Sequence, residues 1–371
     1  MLHVLEAIEG GTARHVRDAV VHTGGVDHVV AVPDKRVGGV TDRRARGSME
    51  EAGARVVRVE MRRVPLSPRN AVAALELGRL VRSLQPDVVH GHSSVGGALA
   101  RLTAGRGPTP VRVYTPNGLS PSAVLRLAEK ALAPLTDVLV ATSASEAGAL
   151  QEAGLARSAR LITIPNGIDL SPPLVAAPDL RGLLGLAPGT PLIGTIARLV
   201  PQKAPERFVE IGARCLRARP DIHLVLIGSG RLQRIVDRRV DDLGVRHRFH
   251  QIRELSDAAG VLGQLDVFVL ASRFEGAPYT PLEAMRAGTP VVLSDVVGNR
   301  DIVEHAVSGI LLAEDDVDAI ALAAVELLAD PAGRARITAA ARARLELFDV
   351  RAMGAALSRL YLDAAQSTRE R

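Results

Sequence analysis

A single cysteine, no tryptophan, three tyrosines and five phenylalanines stand in 371 residues. That scarcity excludes several kinds of chemistry. The lone Cys215 cannot form a disulfide within the chain, and a thiol-ligated metal site would lack a second sulfur. A reducing compartment is consistent with this. With aromatics at 2%, the stacking surfaces that hold single-stranded nucleic acid are largely missing. No apolar run approaches the roughly 18 residues that span a bilayer. The chain enters a strand pattern at Leu2 without a basic segment followed by an apolar one, so no secretory signal is expected. The expected location is the cytoplasm, at most peripheral to the inner face of a membrane. The net charge of +5 comes mainly from arginine and is spread along the chain. So mild an excess suits an anionic substrate or an acidic membrane surface better than a nucleic-acid groove, and no nucleic-acid partner is expected.

Hydrophobic residues make up 47% of the chain, enough for ordinary globular cores. A chain of this length accommodates two domains of about 100–200 residues each. Apolar runs alternate with helical patterns throughout, which predicts an α/β fold with parallel sheets. In the first half the predicted strands are His3–Ala7, His28–Val32, Arg55–Val59, Asp87–His90, Val111–Thr115, Val138–Ala141 and Arg160–Ile164. The Pro- and Asp-rich segment Asp169–Gly189 reads as the linker, which puts the domains at 1–172 and 173–349. A second series follows at Pro191–Ile196, His223–Ile227, Val267–Leu270, Pro290–Leu293 and Gly309–Leu312. A helix over Ser122–Ala133 sets Val124, Ala128, Ala131 and Leu135 on one face, the pattern of a helix packed on a sheet. The segment Val350–Asp363 is also helical, within a last stretch of about 350–371.

The most informative stretch runs from Arg273 to Met285. It places Glu275 and Glu283 eight positions apart. The first carboxylate sits in a Gly/Pro loop after the apolar run Asp266–Ala271. The second sits in the first turn of a helix that Thr280 caps and Pro281 opens. Such a turn presents free backbone N–H groups and a positive helix end to an anion. Carboxylates beside it accept hydrogen bonds from hydroxyls. A nucleoside-diphosphate sugar has this combination of anion and hydroxyls.

These residues resemble the E-x7-E signature of the retaining family 4 glycosyltransferases. The similarity continues through Gly194–Lys203, Pro165–Asp169, Ala287–Ser294, Gly298, Glu304 and Ser308–Leu312, and begins at Leu5–Thr12. The blocks run in family order over nearly the whole chain. The resemblance implies an α/β fold of two facing Rossmann-like domains (GT-B) with the active site in the cleft between them. It also implies a C-terminal helix, about 350–371, that crosses back onto the first domain.

Two cations, Arg198 and Lys203, follow the strand Pro191–Ile196, at the carboxyl end where α/β sites lie. They can stabilise a leaving diphosphate without a metal, and the resemblance assigns them that role. It assigns Glu275 to hydroxyls of the transferred sugar. Glu283, with its glycine loop, is expected on the nucleotide ribose. Gly276, Ala277, Thr280 and Leu282 lie between the two carboxylates and are expected at the donor. Gly10 and Gly11 form the first strand–helix turn and are expected to approach the donor phosphates. Gly228, in Gly228-Ser229-Gly230, resembles the family's glycine turn under the nucleotide, and Ile252 stands where relatives hold the base. His90 and His92 end a strand beside the acceptor block, with His92 the better candidate to face the cleft. Asn117 stands where many relatives carry a histidine that contacts the sugar. Asn can hydrogen-bond a hydroxyl but cannot carry a proton near neutral pH. Asp316-Val317-Asp318 is a literal D-x-D, but acidic residues at a helix start are the simpler reading. No metal and no cofactor is expected.

The expected activity is metal-independent, retaining transfer of a sugar from a nucleoside diphosphate, with UDP the first choice, to a hydroxyl. The resemblance favours a front-face route and a polyprenyl-linked glycan or other cell-surface polysaccharide precursor as acceptor. Small-molecule natural products remain an alternative acceptor class. A GT-B nucleotide-sugar epimerase and a non-catalytic nucleotide-sugar-binding protein remain alternative functions. The basic loop Asp34–Ser48 is a candidate contact for an acceptor phosphate or anionic headgroups. The Ala- and Arg-rich composition suggests a high-GC bacterium.

Overall fold

The computed structural model describes residues 1–7, 10–33, 43–64, 67–105, 110–119, 122–171, 177–255 and 258–369. The expected boundary between 172 and 173 and most of the basic loop 34–48 lie outside the described residues. The chain divides into two compact units: Met1–Gly167 with Asp349–Arg371, and Ile168–Phe348.

The first unit holds a seven-stranded parallel sheet: β1 (Leu2–Leu5), β2 (Val29–Val32), β3 (Arg55–Arg58), β4 (Val88–His92), β5 (Val111–Thr115), β6 (Val138–Ala141) and β7 (Arg160–Thr163). Their order is β3-β2-β1-β4-β5-β6-β7. The second unit holds β8 (Leu192–Ile196), β9 (His223–Ile227), β10 (Phe249–Ile252), β11 (Val267–Leu270), β12 (Val291–Ser294) and β13 (Ile310–Leu312), in the order β10-β9-β8-β11-β12-β13. The central strands are buried on both faces, with near-continuous apolar runs in β9, β11 and β12 and interspersed histidines in β1 and β4. In each sheet the winding reverses once, between β1 and β4 and between β8 and β11. There two adjacent strands send their chains in opposite directions and leave a crevice at their carboxyl ends. Strand β10 was not expected. Only Phe249 of it is buried, and its half-polar His250-Gln251 core is that of an edge strand.

The helix Val350–Arg369 belongs to the first unit. Val350, Met353, Leu357, Leu360, Tyr361 and Ala364 form one buried stripe on the β4–β6 core, at helical spacing. That core is partly polar. His3, facing His90 across β1 and β4, bonds through Nδ1 to His92 Nε2 at 3.0 Å and through Nε2 to His28 Nδ1 at 3.0 Å. His28 Nε2 meets Thr23 Oγ1 at 2.6 Å. A neutral imidazole has one donor and one acceptor nitrogen, so all three rings must pass their protons in the same direction. His90 is held by Tyr361 Oη at 2.9 Å and Thr115 Oγ1 at 2.8 Å.

A second departure concerns the helix after β5. It runs Ala123–Leu132, but of its expected apolar face Val124, Ala128 and Ala131 are turned outward, Val124 76% exposed, beside Leu127 at 70%. The side chain buried instead is Glu129. It accepts from Arg101 Nη2 at 2.7 Å and from Tyr114 Oη at 2.9 Å, and the Arg101 guanidinium lies 3.9 Å over the Tyr114 ring. A paired, fully hydrogen-bonded carboxylate sets the roll of this helix, and its apolar stripe follows.

Burial, then the neighbouring imidazoles, hold His3, His90 and His92 well below their ordinary value of 6.5. Burial brings His28 to about 4. All four are neutral when folded, whereas the unfolded chain protonates them as pH falls below 6.5. Between the folded and unfolded values the unfolded state binds more protons, so stability rises with pH there and is lost on acidification. The expected loss is on the order of 1 kcal/mol per pH unit for each imidazole within its window. Chemical denaturation should show this slope between about pH 5 and pH 6.5, levelling off at higher pH, and His3→Asn should flatten it. An unchanged slope would remove the network from the pH dependence.

Candidate functional site

The reversal point of the second sheet gathers most of the polar groups singled out by the sequence. After β8 the chain passes Ala197 and the half-buried Arg198, then makes a short helical turn, Pro201–Lys203. After β11 it passes Ser272 and Arg273 to Glu275. The two loops are tied together. Arg273 N–H donates to Gln202 O at 2.8 Å, Arg273 Nη1 to Pro201 O at 2.7 Å and Arg273 Nη2 to Glu206 Oε1 at 2.6 Å. Within that frame Lys203 Nζ donates to Glu275 Oε1 at 2.5 Å. Gln202 Nε2 reaches Glu275 Oε2 at 3.3 Å and Phe274 O at 3.1 Å. Glu275 is only 4% exposed. Residues 72 positions apart thus form one charge-assisted pair.

Two glycines make the loops fit. A Cβ on Gly298 would stand 2.1 Å from Gly276 O, and one on Gly228 would stand 2.1 Å from Ala197 O. Both contacts are with backbone, which cannot swing away. Gly228 N–H also donates to Ile252 O at 2.8 Å. The requirement for glycine at 228 therefore comes from the loop holding Arg198.

The helix after Glu275 starts earlier than expected. It runs Tyr279–Arg286 with Pro278 before it, so Thr280 is not its cap and Pro281 is its third residue. Proline is tolerated there because first-turn N–H groups have no partner in the helix. Glu283 consequently lies beyond the first turn, which weakens a helix-dipole role for it. It is 9% exposed, and Leu282 is buried outright. Gly276 is buried, while Ala277 and Thr280 are half-buried. Asp316 caps the helix Val317–Ala329, accepting from Ala319 N–H at 2.9 Å.

At the reversal point of the first sheet, Gly10 and Gly11 are exposed and open the helix Gly10–His22. His92 corrects an expectation. It is fully buried in the histidine network, because strand alternation points it to the same face as His90. Facing outward after β4 is Ser93, at φ 59° and ψ −173°, a conformation costly for any residue but glycine. Its N–H donates to Thr115 O at 2.9 Å and its hydroxyl to Glu6 Oε1 at 2.9 Å. Glu6 Oε2 also accepts from Gly96 N–H at 2.9 Å, and Arg63 Nε lies 3.5 Å from its carboxylate. Glu6 and Ser93 escaped the sequence reading, although each directly follows a central strand. Asn117 is half-buried at φ 57°, a left-handed conformation that Asn tolerates. The following Gly118 N–H is held by the buried Glu146 at 2.6 Å. The Ser143-x-x-Glu146 spacing is the only local sign of that role.

Among the described residues, His3, His90 and His92 could hold a metal, each offering a nitrogen within 4.8 Å of the others. Both nitrogens of His3 and of His90 already have hydrogen-bond partners, so a cation there would have to break the network.

Residues 9–172 match the family model described as Glycosyltransferase Family 4, and residues 178–344 match Glycosyl transferases group 1. The D-inositol 3-phosphate glycosyltransferase of Xylanimonas cellulosilytica is 32% identical over 314 residues, 77% of this chain and 73% of that protein. The chain belongs to this glycosyltransferase family. The UDP-Gal:alpha-D-GlcNAc-diphosphoundecaprenol alpha-1,3-galactosyltransferase of Escherichia coli is 28% identical to the glycosyltransferase described here, over 69% of this chain and 70% of that protein. The crystal structure of Anabaena Alr3699/HepE with UDP and glucose matches with a TM-score of 0.78 at 21% identity, over 99% of both chains. With two Rossmann-like units, the glycosyltransferase has the GT-B fold.

The Lys203–Glu275 pair should be strongly coupled. In urea unfolding, Lys203→Met alone should cost roughly 2–3 kcal/mol, because it leaves a carboxylate without its cation. Lys203→Met with Glu275→Leu should cost less than the sum of the single changes. Additive effects would show that the pair is not formed in solution.

Proposed function

We propose that this glycosyltransferase moves a sugar from a nucleoside diphosphate, UDP first, to a hydroxyl of a polyprenyl-linked glycan or another cell-surface polysaccharide precursor. We further propose retention at the anomeric carbon and no metal. The observation that carries the reading is the Lys203–Glu275 pair beside Arg198, at the carboxyl ends of β8 and β11 where the second sheet reverses. An anionic leaving group there meets two cations, and sugar hydroxyls meet a carboxylate already fixed in place. The named substrates of the Escherichia coli relative, a UDP-sugar and a diphosphoundecaprenol-linked acceptor, support the choice of donor and acceptor.

In this proposal Arg198 and Lys203 stabilise the charge that develops on the diphosphate as the glycosidic bond breaks. Preorganised cations in a site shielded from water can do this without a bound ion. Glu275 orients the transferred sugar. Lys203 and Glu275 hold each other in position. Glu283 accepts from the ribose. Gly276, Ala277, Thr280 and Leu282 shape the donor loop, and Gly228 and Ile252 form the floor under the base. Gly10 and Gly11 offer exposed backbone N–H groups to the donor phosphates. The donor phosphate itself takes the acceptor proton, on the same face as the departing group. The first unit supplies the acceptor side, with Asn117, Ser93 and Glu6 positioned for hydroxyls. The protein works in the cytoplasm, against the inner face of an anionic membrane.

Two outcomes test this reading. A thermal-shift screen against UDP-, GDP-, dTDP- and ADP-sugars should show one selective stabilisation, unaffected by EDTA and abolished by Glu283→Ala. A shift that needs added metal would overturn the metal-free proposal. Alanine at Arg198, Lys203 or Glu275 should lower turnover by at least about a hundredfold in folded protein. Wild-type rates in these variants would sink the site. Asn117→His, tolerable at the same backbone angles, should change the ratio of kcat/KM values between donors. An unchanged ratio would take position 117 out of donor choice.

A further inference from the structure

The helix Ala123–Leu132 is built the wrong way round for a soluble surface. At 100° per residue, Ala123, Leu127, Ala131, Val124 and Ala128 follow one another across an arc of about 140°. All five are exposed, Val124 at 76% and Leu127 at 70%. Arg126 and Lys130, also exposed, border one edge of that arc. The only acidic residue of the helix, Glu129, is turned inward and neutralised by Arg101. The outer surface of the helix therefore combines a continuous apolar face, a basic margin and no negative charge. Its orientation is not loose, since the Arg101–Glu129–Tyr114 hydrogen bonds fix its roll. On its inner side, Leu125 and Glu129 line a small cavity with Ser94, Tyr114 and Gly118, at whose rim Arg126 stands. That cavity lies by the carboxyl ends of β4 and β5, next to Ser93 and Asn117.

We propose that this helix is a membrane-docking surface, lying in the plane of an anionic bilayer with Val124 and Leu127 inserted and Arg126 and Lys130 on lipid headgroups. A helix with an apolar face and a one-signed basic border binds in this way. Charge complementarity selects an acidic lipid surface over an uncharged apolar partner. The use of the surface rests on the lipid-linked acceptor proposed above. Docking would put the carboxyl ends of β4 and β5 at the headgroup layer, where the diphosphate and sugar of a membrane-anchored acceptor lie. The binding itself is independent of the donor site.

The test is flotation of the full chain with phosphatidylcholine vesicles, with and without phosphatidylglycerol. Wild type should float with the anionic vesicles, and less so as salt rises. Val124→Asp with Leu127→Asp should reduce binding more than about tenfold. Arg126→Gln with Lys130→Gln should reduce it roughly fivefold for each cation removed, on anionic vesicles only. Should the aspartate variant fail to fold, Val124→Thr with Leu127→Gln carries the same expectation. Every variant should keep the donor-induced thermal shift of the wild type. Wild type that stays off anionic vesicles overturns the inference, as do apolar-face variants that float like wild type. A dimer in solution that the aspartate variant splits also overturns it, making a second copy the occupant. Absence of any donor shift in a wild type that floats would instead count against the donor reading and leave the docking surface standing.

Discussion

Glu275 is a carboxylate withdrawn from water, and the reversal point of the second sheet is organised around satisfying it. One oxygen takes Lys203 and the other faces Gln202. Both partners come from the loop after β8, so the pair fastens that loop to the one after β11. Arg273 repeats the connection, its backbone N–H donating to Gln202 O and its side-chain Nη1 to Pro201 O. Arg198 is carried by the same loop. Its placement therefore depends on interactions it does not itself make. A buried charge pair is weak evidence of stability, since desolvation offsets much of the attraction. Here it fixes geometry, setting how the loop that carries Arg198 stands against the loop after β11.

The strands were legible in both units, all seven of the first and five of the six of the second, but the polar site was more legible in the second. Apolar runs such as Val267–Leu270 identify buried parallel strands because both faces are covered and nothing need alternate. The loops after them follow from strand polarity. Strand β10 was hidden because an edge strand with His250 and Gln251 carries no such run. The start of the helix at Tyr279 was misjudged because proline marks the first turn without fixing which residue of that turn it occupies.

In the first unit the obscure features are all long-range polar pairings. Val124, Ala128 and Ala131 declare an apolar stripe, but not which way it faces. That depended on Glu129 meeting Arg101, 28 positions earlier. The burial of His92 depended on a register that sets Leu5 opposite it and His3 opposite His90. The roles of Glu6 and Ser93 depended on β1 and β4 becoming neighbours. Local patterns encode periodicity well. They say nothing about which distant polar atom will complete a hydrogen bond.

The first unit is assembled from both ends of the chain, with the second unit spliced into it. The two crossing points adjoin: Ile168 N–H donates to Phe348 O at 2.8 Å, and a Cβ on Gly167 would stand 2.5 Å from Val350 Cα. On the ribosome this imposes an order. The strands β1 to β7 emerge first, yet the β4–β6 core stays uncovered and His90 lacks Tyr361 until the helix Val350–Arg369 has been made. The second unit, contiguous in sequence, can close before then. Vectorial synthesis should therefore leave the earlier-made sheet waiting on the later-made one, and a chain ended after residue 348 and released would hold every residue of the C-terminal unit beside an N-terminal unit still short of one helix.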